Sequence, residues 1–162
     1  MKNKKPKKKK IILIRHTEAI HNLKDVLGGW KDTELTERGK ERIKKIIKRI
    51  EGKELDVIYT SDLKRCYLLA DKLSKKLNCP LIVSSELRER SYGSAEGKRV
   101  SKIPKDAESF EDFEKRIIDF IKNIKFKRVV LITHGGPIRS IIKKFKGEEI
   151  VTKTGEIINI FI

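Results

Sequence analysis

Five short aliphatic runs punctuate this chain, and between them apolar positions recur at three- and four-residue spacing. Ile11 to Arg15, Asp56 to Thr60, Leu81 to Ser84, Arg128 to Thr133 and Ile157 to Ile162 read as strands. A first long helix is expected from Thr36, whose hydroxyl can cap free amides, with Ile43, Ile46, Ile47 and Ile50 as its apolar stripe. A second runs from Asp62 to Leu77 and gathers Cys66, Leu69, Ala70, Leu73 and Leu77 on one face. A third, Ser109 to Asn123, is expected to bury Phe110, Phe113, Ile117 and Ile121, and Ser109 with Asp112 resembles a capping box. The last starts after Gly135-Gly136, with Pro137 in its first turn, where a missing amide costs nothing. Strands alternating with helices predict an α/β fold, a three-layer α/β/α sandwich around a mostly parallel sheet. Lys153-Thr154-Gly155-Glu156 reads as a turn joining Glu149–Thr152 to the closing strand, so a C-terminal hairpin is expected, with an edge that could pair two copies.

Composition narrows this picture. At 162 residues the chain suits one domain with a real core. The net charge of +17 suggests a polyanion partner, but seven lysines lie within the first ten residues, and subtracting them leaves +10. Residues 1–10 are therefore expected to be a disordered lysine-rich arm open to weak nonspecific polyanion contact through Lys2 to Lys10, ahead of a single domain over 11–162. Abundant Lys and Glu, with no Gln, resemble a thermophile composition. No apolar run approaches the roughly 20 residues of a membrane span, and no apolar segment follows the basic start as a secretion signal requires, so a cytoplasmic protein is expected. Cys66 and Cys79 are too few and too far apart for a zinc site or a disulfide framework and read as packing residues. Glycine-rich nucleotide loops are missing.

The chemistry collects at strand ends. Ile11-Ile12-Leu13-Ile14 runs into Arg15-His16, with Asn22 six residues on, and Val129-Val130-Leu131-Ile132-Thr133 runs into His134-Gly135-Gly136. Ligands of open α/β sheets bind beyond the carboxyl ends of the strands. Cleaving a phosphate ester through a covalent intermediate takes a nucleophile, cations around the nonbridging oxygens and an acid for the leaving alkoxide. His16 offers a neutral imidazole, Arg15, Arg65 and His134 a positive field, Asn22 an amide donor, and Glu89 a proton. Arginine suits the task because its planar fork holds two phosphate oxygens and stays charged. His21 lacks such company and is expected at the surface or rim, while Trp30 reads as an anchor of the Gly28 to Leu35 loop.

Six segments in order carry a family resemblance: Arg15-His16 with Asn22; Gly29-Trp30-Lys31-Asp32 with Leu35-Thr36 and Gly39; Ser61-Asp62-Leu63-Lys64-Arg65-Cys66; Leu87-Arg88-Glu89 with Gly93 and Glu96-Gly97; Glu108-Ser109 with Asp112 and Arg116; and Thr133-His134-Gly135-Gly136-Pro137-Ile138-Arg139. Together they resemble the histidine phosphatase superfamily, with its phosphoglycerate mutase-like fold. The resemblance implies that His16 is phosphorylated, that Glu89 protonates the leaving oxygen and then activates water, and that Arg15, Arg65 and His134 complete the catalytic set. It implies a substrate-binding set of Arg15, Thr17, Asn22, Gly29, Arg65, His134 and Gly135, with no cofactor and no metal. The chain departs from the pattern at Thr17, where the family usually has Gly, and at Leu69, Ala95 and Ala107, which puts the substrate rim and one turn in question.

A mutase must shield its phosphoenzyme from water, which takes long closing segments. Only ten residues separate Gly97 from Glu108, and the loop after Asn22 is equally brief. The expected activity is therefore a metal-independent phosphatase acting on small phosphorylated metabolites as phosphate monoesters, in the compact branch of the family. α-Ribazole phosphatase, protein-phosphohistidine phosphatase and phosphoglycerate mutase are alternatives within it. A noncatalytic phospholigand- or polyanion-binding protein is the competing class, and Lys98, Arg99 and Lys102 are candidate rim residues for selectivity.

Overall fold

The structure is a computed structural model that describes residues 8–162. Five strands, β1 (Lys10–Arg15), β2 (Val57–Thr60), β3 (Leu81–Val83), β4 (Arg128–Thr133) and β5 (Ile157–Phe161), form one sheet in the order β3-β2-β4-β1-β5. The first four run parallel, and β5 lies antiparallel to β1. The helices are α1 (Ile20–Leu23), α2 (Glu37–Ile50), α3 (Lys64–Leu77), α4 (Phe110–Asn123) and α5 (Gly135–Lys146). None of the described helices is long and apolar enough to cross a membrane.

Strand side chains alternate between faces, and the central strands are apolar on both because helices cover both sides. Ile11, Leu13, Val57, Tyr59, Val129 and Leu131 pack with Phe113, Ile117 and Ile121 of α4 and Ile138, Ile141 and Ile142 of α5. On the other face Ile12, Ile14, Ile58, Val130 and Ile132 meet Ile43, Ile46 and Ile50 of α2 and Cys66, Leu69, Ala70 and Leu73 of α3. This is the three-layer sandwich expected from the alternation. Local chemistry sets the ends of the helices: Thr36 Oγ1 accepts from Gly39 N at 3.0 Å, Ser109 Oγ accepts from Asp112 N at 3.0 Å, and Asn78 ends α3 in the left-handed region at φ 48°.

Three expectations are corrected. Glu149–Thr152 forms no strand, so there is no terminal hairpin. The backbone polar groups there serve the site instead: the Thr152 carbonyl accepts from Arg15 Nη1, and Gly155 N donates to the carbonyls of Arg15 and His16 at 3.1 and 2.9 Å. β5 then pairs with β1 rather than with a hairpin partner. Phe110, expected in the core, is 54% exposed, because it stands at the first position of α4 outside the face that Phe113, Ile117 and Ile121 bury. Lys10 belongs to β1, and Lys9 exchanges backbone bonds with Ile162 at 2.7 and 3.0 Å, so the sheet begins inside the segment assigned to the lysine arm. The rest of that arm, residues 1–7, lies outside the described residues.

Candidate active site

Because β1, β2 and β4 are adjacent and parallel, their carboxyl ends deliver Arg15-His16, Ser61 and Thr133-His134 to one edge of the sheet. His16 N donates to the Thr133 carbonyl at 2.9 Å and Ser61 N to Ile132 O at 3.1 Å, which locks the three strand ends together. The rings of His16 and His134 lie 5.2 Å apart at 62°. Beside them opens a cavity of about 270 Å³ whose wall includes Arg15, His16, Asn22, Gly29, Arg65, Glu89 and Gly135.

His16 Nδ1 sits 2.8 Å from the Thr17 carbonyl oxygen. A carbonyl can only accept, so Nδ1 carries the proton and Nε2 keeps the lone pair. Burial, followed by Arg65 and Arg15 nearby, holds the pKa of this imidazole well below its usual value, so the ring is neutral at neutral pH. His134, wholly buried, is depressed by the same causes. Its Nε2 lies 3.0 Å from Ser61 Oγ and 3.4 Å from Cys66 Sγ, and it sits against His16 rather than in the cavity wall.

Arg65, 1% exposed, reaches back from the start of α3 to clamp the loop before α2. Its Nη1 donates to Lys31 O and Asp32 Oδ1, both at 3.1 Å, and its Nη2 to Gly29 O at 2.6 Å. The Nε atoms of Arg15 and Arg65 are buried without a partner among the described residues. A buried N–H with no acceptor is costly, and two such donors beside one imidazole suit an anion. Asn22 Oδ1 is taken by Ala19 N at 2.9 Å, which leaves the side-chain NH₂ as the group to offer the cavity. Glu89 enters from the opposite wall, its Oε1 accepting from Arg90 N at 3.0 Å and its Oε2 from Gly136 N at 3.1 Å.

Some residues fall elsewhere. Thr17 is buried, its hydroxyl unpartnered among the described residues, and it contributes a carbonyl to His16 instead of a side chain to the cavity wall. His21, expected at the surface or rim, lines the cavity but is only 6% exposed, with its ring 5.7 Å from that of His16. Its Nδ1 is 2.8 Å from Thr33 Oγ1, and Gly28 packs so closely that a Cβ there would come within 2.7 Å of the ring. Burial, then Arg65 and Arg15, brings its pKa down to about 4. Lys98, Arg99 and Lys102 do not line the cavity, nor do Leu69, Ala95 and Ala107; Arg99 instead caps the carbonyls of Lys24 and Asp25. The outer wall is Arg90, Tyr92, Phe110, Arg139, Val151 and Thr152, which sequence reasoning had not singled out as site residues. Arg139 alone had a legible signal, lying one helical turn beyond Gly135-Gly136. Trp30 does anchor its loop: its Nε1 donates to the Glu89 carbonyl at 2.8 Å and its backbone N to Glu96 Oε1 at 2.9 Å.

A family model described as histidine phosphatase superfamily (branch 1) matches residues 11–154. The chain belongs to that superfamily. Among its relatives in this superfamily, a broad-specificity phosphatase of Saccharomyces cerevisiae is 34% identical, over 86% of this chain and 71% of the relative. The solved structure of YhfR from Bacillus stearothermophilus superposes with a TM-score of 0.80 at 26% identity, covering 88% of this chain and 82% of the other. The α-ribazole phosphatase of Shigella flexneri shares the fold at a TM-score of 0.77 and 22% identity, over 83% and 78% of the two chains. In this chain the phosphoglycerate mutase-like sheet presents its two strand-end histidines side by side.

Proposed function

We propose that this protein, a histidine phosphatase superfamily hydrolase of phosphate esters, cleaves small-molecule phosphate monoesters through a phosphohistidine on Nε2 of His16. One observation carries the reading: Thr17 holds the His16 proton on Nδ1, so the nitrogen left toward the Arg15- and Arg65-lined cavity is an unprotonated nucleophile. Phosphate oxygens are received by the Arg15 and Arg65 guanidiniums, by the Asn22 amide and by the positive end of α5 at Gly135.

The Nε2 lone pair attacks phosphorus, the P–O bond to the leaving group breaks, and the alkoxide takes the proton carried by Glu89. Glu89, now a carboxylate, accepts a proton from water as that water attacks the phosphohistidine. Inorganic phosphate leaves, and both the imidazole and the acid are restored. Fixed guanidiniums supply the charge stabilisation that a metal would otherwise bring. Among the described residues, 98–107 form only bends and a turn and 24–36 connect α1 to α2 without a further helix or sheet strand, so neither supplies a structured lid, water reaches the phosphoenzyme, and hydrolysis prevails over retention for transfer.

The test is hydrolysis of an activated aryl phosphate in the presence of chelator. Turnover with label trapped on His16 is expected. Failure to hydrolyse any monoester while phosphate still binds would replace this reading with that of a phospholigand-binding protein.

A further inference from the structure

The cavity holds more positive charge than one phosphate needs. Arg15, Arg65 and Asn22 already surround the space beside His16 Nε2, and a phosphate monoester presents three nonbridging oxygens. Farther out, Arg139 lines the same cavity and makes no hydrogen bond or ion pair with any described residue. It stands three residues after Gly136 on α5, and thus on the same helix face one turn outward from the amide that holds Glu89. Its charge reaches both Arg15 and Tyr92. Arg90 lines the cavity as well: its Nε is spent on the Glu108 carbonyl at 2.8 Å, and its guanidinium is steadied over the rings of Tyr92 and Phe110 at 5.9 and 5.8 Å. Both terminal amino groups of Arg90 have no partner among the described residues. The Thr152 hydroxyl, in a residue 5% exposed that lines the cavity, is likewise unpartnered, beside the carbonyl that Arg15 engages.

Solvent screens the exposed Arg139 and the half-buried Arg90, yet both keep free donors for a charge-assisted bond to an anion, and a buried hydroxyl without a partner among the described residues is costly. A second anion in the cavity would find all three groups along its wall. The carboxylate nearest to hand, Glu89, is already engaged by Arg90 N and Gly136 N. Resting on the phosphatase reading above, we infer that Arg139, Arg90 and Thr152 form a second anion subsite on the leaving-group side of Glu89. The preferred substrates are then phosphate monoesters whose leaving alcohol carries a carboxylate or a second phosphate.

The test compares three esters with two-carbon leaving groups on the full-length protein: ethyl phosphate, phosphoglycolate and ethylene glycol bisphosphate. At least one acidic ester is expected to exceed ethyl phosphate in kcat/KM by about tenfold or more, the scale of one charge-assisted hydrogen bond. Which of the two wins assigns carboxylate or phosphate. Arg139→Gln should bring the ratio toward one chiefly through KM, and Arg139→Lys should restore part of it. Calorimetric titration with propylphosphonate and 3-phosphonopropionate, which cannot be turned over, reads the same preference without catalysis. A ratio near one in both the kinetic and the binding pairs, or a ratio unmoved by Arg90→Gln and Arg139→Gln together, overturns the subsite. No hydrolysis of any ester, with the phosphonate preference intact, would overturn the hydrolytic reading and leave the subsite standing.

Discussion

Gly136 and Glu89 are fitted to one another: the amide of the first donates to Oε2 of the second at 3.1 Å, and a Cβ on Gly136 would lie 2.1 Å from Glu89 Oε1. The proposed proton donor therefore rests on a helix amino end at a spot where no side chain fits. Gly136→Ala should displace the Glu89 carboxyl and lower kcat on alkyl phosphates by about 10²-fold or more, within the range contributed by a general acid. Aryl phosphates, whose leaving groups depart without a proton, should be affected much less. Glu89→Gln should show the same split, and an equal loss on both substrate types would remove Glu89 from the acid's role.

His16→Ala removes the proposed nucleophile and should lower kcat by at least about 10³-fold on every ester, activated or not. Acid-labile, base-stable label from a phosphorus-labelled substrate should appear on wild-type protein and vanish in the variant. Burst kinetics with normal amplitude in the variant would place the covalent step elsewhere.

Arg65→Lys keeps a positive charge but loses the fork. Its Nη1 and Nη2 tie down Gly29, Lys31 and Asp32, and one ammonium cannot hold three such acceptors and a phosphate as well. A fall in kcat/KM of about 10²-fold is expected, together with faster amide exchange over residues 29–32. Unchanged exchange in that loop would show that the clamp does not restrain it.

The three buried imidazoles couple stability to acid. His16, His21 and His134 all have folded pKa values below the ordinary histidine value of about 6.5, and that of His21 is about 4. Below about pH 6.5 the unfolded chain binds protons that the folded chain refuses, so stability falls as pH drops from there toward the folded values. Denaturation midpoints measured between pH 7.5 and 4.5 should decline, and His21→Asn, which keeps polarity but cannot titrate, should flatten part of the slope. A flat profile in the wild type would contradict the burial of these rings as neutral groups.

Leu131 sits in the central strand β4, fully buried between β1 and β2 and against α4 and α5. Leu131→Ala should cost about 2–5 kcal/mol, the range for a cavity left in a packed core, read from chemical denaturation.

The strands and long helices were legible because each is a local pattern. Ile11 to Ile14 and Val129 to Ile132 are apolar at every position, as strands covered on both faces must be, and the 3–4 spacing of Ile43, Ile46 and Ile50 fixes one helix face. The terminal hairpin failed because its evidence was also local. Lys153–Glu156 does turn, but the carbonyl of Thr152 and the amide of Gly155 are claimed by Arg15 and His16, over 130 residues earlier in the chain. The burial of His21 was hidden for a similar reason: a lone histidine in the one-turn helix α1 carries no sign that Gly28 and Thr33 will fold around its ring.

By itself the sequence determined the order of the elements, the two strand-end histidines and the arginine at the start of α3, since these depend on residue type and short spacing. Which groups share the cavity was decided only by the tertiary structure. Parallel pairing of β2, β4 and β1 aligns their carboxyl ends, sets His16 against His134, turns the Thr17 side chain out of the wall and brings Arg90, Arg139 and Thr152 together. Those relationships rest on hydrogen bonds and packing between residues far apart in the chain, whose partners no local pattern specifies.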